Sequence, residues 1–517
     1  MQINKAELLA IAPLEDRFSP AEECWHIPFS LITTGTRTSV ASLTGIKING
    51  EPLPRDKVRF LEGSFRGIPV MAAGRYLLPE ELADWQHTRL LTERGRKASR
   101  MAMGRLSAYN SKISLLAEKV PPLQKGANEM ILPASLVDFE KDGSFFMEVL
   151  FSDRLKNTCG FNLRFTVTTL PGYPASRRWV GGDLHIHSLY SDGRRTLSQL
   201  KSLMKGRGYH YIYLSDGHHT KRLLAEDWQG YCREVYKNSD RELSMFPGVE
   251  TAVGSGDDEK GHLLAFGTNT SIAGLEEHTK SPQDMINAAG KNEPSAPSFA
   301  AITHPLGIYR WRDFSVFGHR GMEIMSGALQ FTFSLSNGPS RLWRKEIKRH
   351  MDQAFLKNNF PAPYTATDWH GYWFEPLRSY VTWTCLSSNW DELDYRGRKG
   401  AVDRALFAGQ VVASRRGSLG FFRVGDRGVG SIIRDVPAGT QLPLHVEYRA
   451  AQGGLMHLYV MRGNVQEISF RRSGSFYPGQ VVDWQDTLTF PGGRQFYWLY
   501  AAGSDYNYSS PIFISEN

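Results

Sequence analysis

Short apolar runs that end in, or open on, a histidine or a carboxylate recur through the middle of this chain. No other feature constrains its fold as much. The first is Gly181-Gly182-Asp183-Leu184-His185-Ile186-His187-Ser188, where Leu184 and Ile186 alternate with His185 and His187. Residues i and i+2 of a strand face the same way, so both imidazoles leave one side of the backbone as a chelating pair for a divalent cation. The turn Ser191-Asp192-Gly193 then folds a carboxylate back towards them. An isolated His-x-His is more often a half-buried strand whose rings bond to their neighbours. It is the later runs that shift the balance.

After the opening strand, Thr196 is placed to cap a helix with an apolar stripe of Leu197, Leu200, Leu203 and Met204, closed by Gly206 and Gly208. Tyr211-Ile212-Tyr213-Leu214 suits a strand buried on both faces, and it delivers Asp216, His218 and His219 at its far end. Parallel α/β barrels keep their chemistry at that end of each strand. The runs continue with Met245 to Glu250, His262 to Gly267, Ala300 to Pro305, Gly321 to Met325 and Tyr364 to His370. His185, His187, Asp192, His218, Glu250, His262, His304, Asp368 and His370 thus all fall at predicted strand ends. That is too many donors for one ion, and imidazoles mixed with carboxylates suit zinc, manganese or iron. A carboxylate can bridge two such cations about 3.5–4 Å apart.

On either side the pattern is β-rich. The stretches CWHIPFSLI, SFFMEVLF and FNLRFTVTTL read as strands. Pro79 to Val120 turns helical and basic, with Arg89, Arg94, Arg96, Lys97, Arg100 and Arg105, most simply a solvated face. PGYPASRR reads as a linker. Past residue 400, Pro443 to Tyr448, Leu455 to Met461 and Phe496 to Ala501 read as strands, with Leu458, Val460, Trp498 and Tyr500 on a sandwich face. For 517 residues, a prior of roughly one domain per 150 gives three: β-rich 1–177, α/β 178–400 and β-sandwich-like 401–517.

Composition narrows the function. Cys24, Cys159, Cys232 and Cys385 are scattered, which argues against a thiolate zinc site or a disulfide framework. A net charge of +8 fits a small anionic substrate and is weak support for nucleic-acid binding. No run approaches the roughly 20 apolar residues of a membrane span. The N-terminal MQINKAELLAIAPLEDRF lacks the basic-then-apolar leader of a secreted chain, so a cytoplasmic location is expected.

Taken in order over about residues 179–385, DLHIHSLYSDG, LSDGHHT, PGVE, GHLLAFG, THP and TDWH resemble the motif series of the PHP (polymerase and histidinol phosphatase) superfamily. The resemblance implies a distorted (β/α)7 barrel with two or three divalent metal ions, acting mostly on phosphoesters. The flanking β regions, with LFAGQVVASRRGSLGFF leading to a module that ends SSPIFI, are similar to the carbaryl-hydrolase-like (CehA/McbA) branch. Carried over, His185, His187, Glu250 and Asp368 hold a first metal, and Glu250 bridges to a second held by His262 and His304. Asp192, His370 and one of the adjacent histidines hold a third. LSDGHHT departs from the family pattern: Gly217 looks inserted, so His218 best takes the ligand place and His219 that of the polar residue beside it.

The reaction this implies is hydrolysis of a small phosphorylated substrate by water activated on the cations. His219 is the candidate general acid. Arg378 is the candidate phosphate contact, with a structural ion pair as its equal alternative. One rival keeps the metals and cleaves a carboxylic ester, carbamate or amide. Another makes the chain a non-catalytic binding protein. The sequence does not indicate an oligomeric state.

Overall fold

The computed structural model describes residues 178–193, 195–217, 227–254, 259–267, 281–290, 297–306, 310–326, 338–370 and 380–516, apart from 452–453, 464–466, 478 and 504. Before these it describes 8–11, 17–18, 24–33, 39–54, 59–62, 70–72, 75–77, 123–124, 126–136, 144–152 and 158–167. The chain divides into two compact units, Met1–Thr168 with Gly371–Leu377, and Thr169–His370 with Arg378–Asn517.

Apart from one 3-10 turn at Ala134–Leu136, the regular elements described in the first unit are strands. Cys24–Thr33 pairs antiparallel with Leu8–Ile11 and Gly126–Pro133, and Ser144–Ser152 pairs antiparallel with Ser39–Ile48 and Thr158–Val167. In Ser144–Ser152 the side chains of Phe145, Met147, Val149 and Phe151 are buried while Phe146 and Leu150 are exposed. This is the period-two alternation of a strand with one dry face. The helical, basic stretch expected from Pro79 to Val120 and most of the expected linker lie outside the described residues.

In the second unit, strand β1 (Trp179–Ile186) is buried along its whole length. Helix α1 (Leu197–Gly206) starts at Thr196 through a reciprocal capping box with Gln199 and buries Leu197, Leu200 and Met204. There follow β2 (Tyr211–Leu214), α2 (Trp228–Asn238), β3 (Ser244–Pro247), β4 (Val249–Ala252), β5 (His262–Phe266), α3 (Pro282–Ala289), β6 (Phe299–Ile302) and β7 (Gly321–Ser326). Helices α4 (Gly338–Arg349) and α5 (Met351–Lys357) lead to β8 (Ala362–Ala366), β9 (Val381–Cys385), α6 (Tyr395–Phe407) and β10 (Val411–Ser414).

The result is mixed α/β, and the strands expected to make a distorted (β/α)7 barrel run through two sheets of mixed direction. β3, β2 and β1 are parallel neighbours, whereas β1 pairs antiparallel with β9. In the other sheet, β5 runs antiparallel to both of its neighbours, β4 and β6, and β6, β7 and β8 are parallel. No helix is described between β4 and β5, and a short connection without a crossover returns the chain antiparallel. The two sheets touch where Gly248 N donates to Leu214 O (2.8 Å) and where His187 N donates to Trp369 O (3.0 Å). Between them Leu184, Tyr213, Phe246, Phe266 and Tyr364 form a core with Leu406 of α6. Each such side chain contributes about 1.5–3 kcal/mol by leaving water.

Beyond β10 come β11 (Leu419–Val424), β12 (Gln441–Arg449), β13 (Gly454–Arg462), β14 (Glu467–Phe476), β15 (Val481–Thr489), β16 (Arg494–Gly503), β17 (Tyr506–Ser509) and β18 (Ile512–Ser515). The expected strands are present, with one correction to their facing. The register pairs Leu458 with Ala501 and Val460 with Leu499, so Trp498 and Tyr500 stand on the opposite face from Leu458 and Val460. One sheet runs without interruption from β3 through β2, β1, β9, β10, β17, β16 and β13 to β14. Among the described residues, no helix is long and apolar enough to cross a membrane.

Candidate metal centre

His185 sits near the end of β1 and His187 just past it, and both are fully buried. Their Nε2 atoms are 3.1 Å apart. His185 Nδ1 lies 2.7 Å from Glu323 Oε1, and an ionised carboxylate only accepts, so that nitrogen carries the proton and Nε2 presents its lone pair. Thr303 Oγ1 donates to Glu323 Oε2 at 2.7 Å, and His304 N donates to the same oxygen at 2.8 Å. Glu323 is thereby locked from two sides.

The acids complete the arrangement. Asp368 Oδ1 lies 3.2 Å from His185 Nε2 and 3.5 Å from His187 Nε2. Glu250 Oε1 is 3.4 Å from His185 Nε2, and its Oε2 is 3.3 Å from His187 Nε2. Ligand atoms on a tetrahedron with bonds of about 2.0–2.1 Å stand about 3.3 Å apart, so these separations fit one small cation between them. Glu250 Oε1 also meets His262 Nδ1 at 2.9 Å and His304 Nε2 at 3.0 Å. On the other flank, Asp192 Oδ1 is 3.5 Å from His187 Nδ1 and Asp192 Oδ2 is 3.4 Å from His370 Nε2. Three donor groups result: His185, His187 and Asp368; His185, Glu250 and His304; His187, Asp192 and His370. The buried Asp368 Oδ2 and His304 Nδ1 have no hydrogen-bond partner.

Local structure explains how each donor gets there. An ideal Cβ on Gly193 would fall 2.3 Å from His187 O, so only glycine lets the Asp192 turn close on the strand. Glu250, expected at a strand end, is the second residue of β4; the chain crosses between sheets at Gly248 and carries it into the centre. His262 opens its strand, whereas His187, His304 and Asp368 follow theirs. It reaches the same place because β5 runs antiparallel and pairs it with Ala252. His304 and Asp368 hold positive φ values of 25° and 51°, a region few side-chain-bearing residues adopt.

The charge balance of the cluster calls for cations. Burial works against charge on His185, yet Asp368, Glu250 and Glu323 outweigh it and hold the imidazole well above its usual range. His262 is likewise pushed up to about 10, with burial opposed by Glu250 and Glu259. Burial tends to raise Glu250, but His185 and His262 hold it well below the carboxylate range. Without a metal these carboxylates recruit protons onto the rings. A divalent ion satisfies the same demand with more charge.

Residues outside the expected donor set support the donors. Asp216 accepts from Ser188 N (2.7 Å), Ser188 Oγ (2.6 Å), Ser191 Oγ (2.5 Å) and Tyr231 OH (2.9 Å), fastening the loop that carries His187 and Asp192. Asp183 accepts from Thr367 Oγ1 at 2.6 Å and Thr367 N at 3.1 Å, tying the residue before Asp368 to β1. Burial pushes Asp183 up to about 7. His218, His219 and Arg378 lie outside the described residues.

No protein-family profile matches the chain, and no curated protein is similar to it. Among solved structures it is similar to a two-domain protein from Bacteroides vulgatus containing a predicted PHP-like metal-dependent phosphoesterase. The identity is 14% over 64% of this chain and 94% of that one, with a TM-score of 0.34. An amidohydrolase from Chromobacterium violaceum with bound sulfate and no metal is 16% identical over 37% of this chain and 87% of its own, with a TM-score of 0.22. Overlaps this slight assign neither fold nor activity.

Proposed function

We propose that this chain is a metal-dependent phosphoesterase of the PHP type, with two or three zinc, manganese or iron ions held by His185, His187, Asp192, Glu250, His262, His304, Asp368 and His370. His218 is assigned to the third donor group from its place in the sequence. The observation that carries the reading is Glu250, whose two oxygens face different donor groups: Oε1 faces His185, His262 and His304, and Oε2 faces His187. This is the placement a bridging carboxylate needs.

Divalent cations at such a centre supply Lewis acidity towards a phosphoryl oxygen and a nucleophile at neutral pH. The chain's own groups do the rest. Glu323 and Thr303 fix the tautomer and angle of His185, while Asp216 holds the His187 loop against β2. In the reaction, an oxygen of water bonds to phosphorus, the bond to the leaving oxygen breaks, and that oxygen takes up a proton. His219 is assigned the proton, and the Arg378 guanidinium, whose fork matches a phosphoryl group, is assigned the non-bridging oxygens.

The test is Asp368→Ala with metal content measured alongside turnover of p-nitrophenyl phosphate, bis(p-nitrophenyl) phosphate and p-nitrophenyl acyl esters. Wild-type protein should hydrolyse a phosphoester, and the variant should lose roughly 10³-fold or more, because the cations contribute several kcal/mol and each tenfold is about 1.4 kcal/mol. Undiminished phosphoester turnover in the variant removes the site assignment. Cleavage confined to acyl esters or carbamates transfers the same centre to carboxylic substrates. A protein that holds no metal after reconstitution is a binding protein.

A further inference from the structure

A second gathering of metal-type donors lies elsewhere in the same unit. His319, Glu346 and His350 each present one donor atom within 4.8 Å of the other two, and all three residues are buried. Glu346 lies in the last turn of α4 and His350 directly follows that helix, a spacing of i and i+4 that sets both on one face. His319 comes from the segment entering β7, whereas the first centre collects beyond β1, β6 and β8.

Hydrogen bonding picks this trio out from ordinary core histidines. His350 Nδ1 lies 2.9 Å from the Glu346 carbonyl oxygen. A carbonyl only accepts, so Nδ1 carries the proton and Nε2 of the neutral ring holds a free lone pair. That Nε2 is buried with no hydrogen-bond partner, and so are both ring nitrogens of His319. Buried ring nitrogens are normally satisfied, and here three on two adjacent rings are not. A backbone carbonyl orienting one nitrogen while the other waits is the usual arrangement of a ligating histidine. The rings stand edge to face with centroids 5.0 Å apart. Glu346 Oε2 accepts from Arg349 Nη2 at 2.6 Å, and Arg349 lies 4.2 Å over the Phe317 ring. A carboxylate has about four lone-pair sites, so Arg349 can hold Glu346 while Glu346 ligates a metal.

We propose that His319, Glu346 and His350 form a second, separate binding site for a divalent transition-metal ion, zinc by donor chemistry, that pins the end of α4 to the segment entering β7. Two imidazoles and one carboxylate are a recurrent zinc donor set. Binding an ion would draw the donors from within 4.8 Å to about 3.3 Å of one another. Water or a further protein group completes the coordination.

The test is zinc stoichiometry by elemental analysis on the full chain, after chelation, reconstitution and dialysis. Wild-type protein should hold one more zinc per chain than His319→Ala or His350→Ala. An Asp368→Ala chain should retain the ion at this site after the first centre is impaired, which keeps the failure of either site distinct. Equal stoichiometry in wild type and both variants, or an ion lost on dialysis, overturns the proposal. If the variants do not fold, zinc-edge anomalous diffraction from the wild-type protein decides. A peak among these three side chains supports the site, and its absence in zinc-soaked crystals sinks it.

Discussion

Glu323 holds His185 by its Nδ1 proton, and so determines which nitrogen faces Asp368 and Glu250. Glu323→Gln keeps the shape of that contact but removes its charge. It should weaken metal affinity about 10–100-fold in a chelator competition, with little change in fold. His262 gives a pH prediction for the metal-free protein. Its folded value of about 10 lies above the unfolded value of about 6.5, so the stability it contributes is fully present below about 6.5 and is lost as pH climbs through about 10. Melting temperature of the stripped protein should therefore fall across that window, and His262→Gln or zinc loading should flatten the curve. That His185, His187, His304, His370 and Asp368 would come near one another could be read from the sequence, because ligand-type residues there interrupt apolar runs. Glu323 was not, because a lone acid between Met322 and Ile324 reads as ordinary strand alternation and its partner lies 138 residues away.

Elements set where these side chains arrive. The turn that delivers Asp192 depends on Gly193, where a Cβ would lie 2.3 Å from His187 O. Gly193→Ala should push the turn off the strand and cost the third donor group its ion, seen as a drop of one metal per chain. Further from the centre, Leu200 is fully buried in α1, and Leu200→Ala should cost about 2–5 kcal/mol in denaturant unfolding. Thr196→Ala should cost about 1 kcal/mol through the lost capping box. Cap, stripe and stop of α1 could all be read from spacing, since they are local. Strand direction could not. A period of two is the same read either way, so β5 running antiparallel, and the facing of Trp498 against Leu458, emerged only with the pairing.

For the molecule as a whole, the sheet that starts at β3 and ends at β14 joins the α/β strands to those that follow residue 400. β9 pairs along its length with β10, and β10 with β17. A fragment ending at residue 400 would cut α6 and strip β10 from β9, exposing an unpaired edge beside the buried Trp383. Expressed alone, residues 178–400 should aggregate, while residues 178–517 should give a cooperative melt in calorimetry. An unbroken ladder also leaves no hinge between these two parts of the unit. Jaw-like gaping would tear hydrogen bonds from β10 to β17, so the angle between the two parts should stay the same whether the metal centre is empty or loaded.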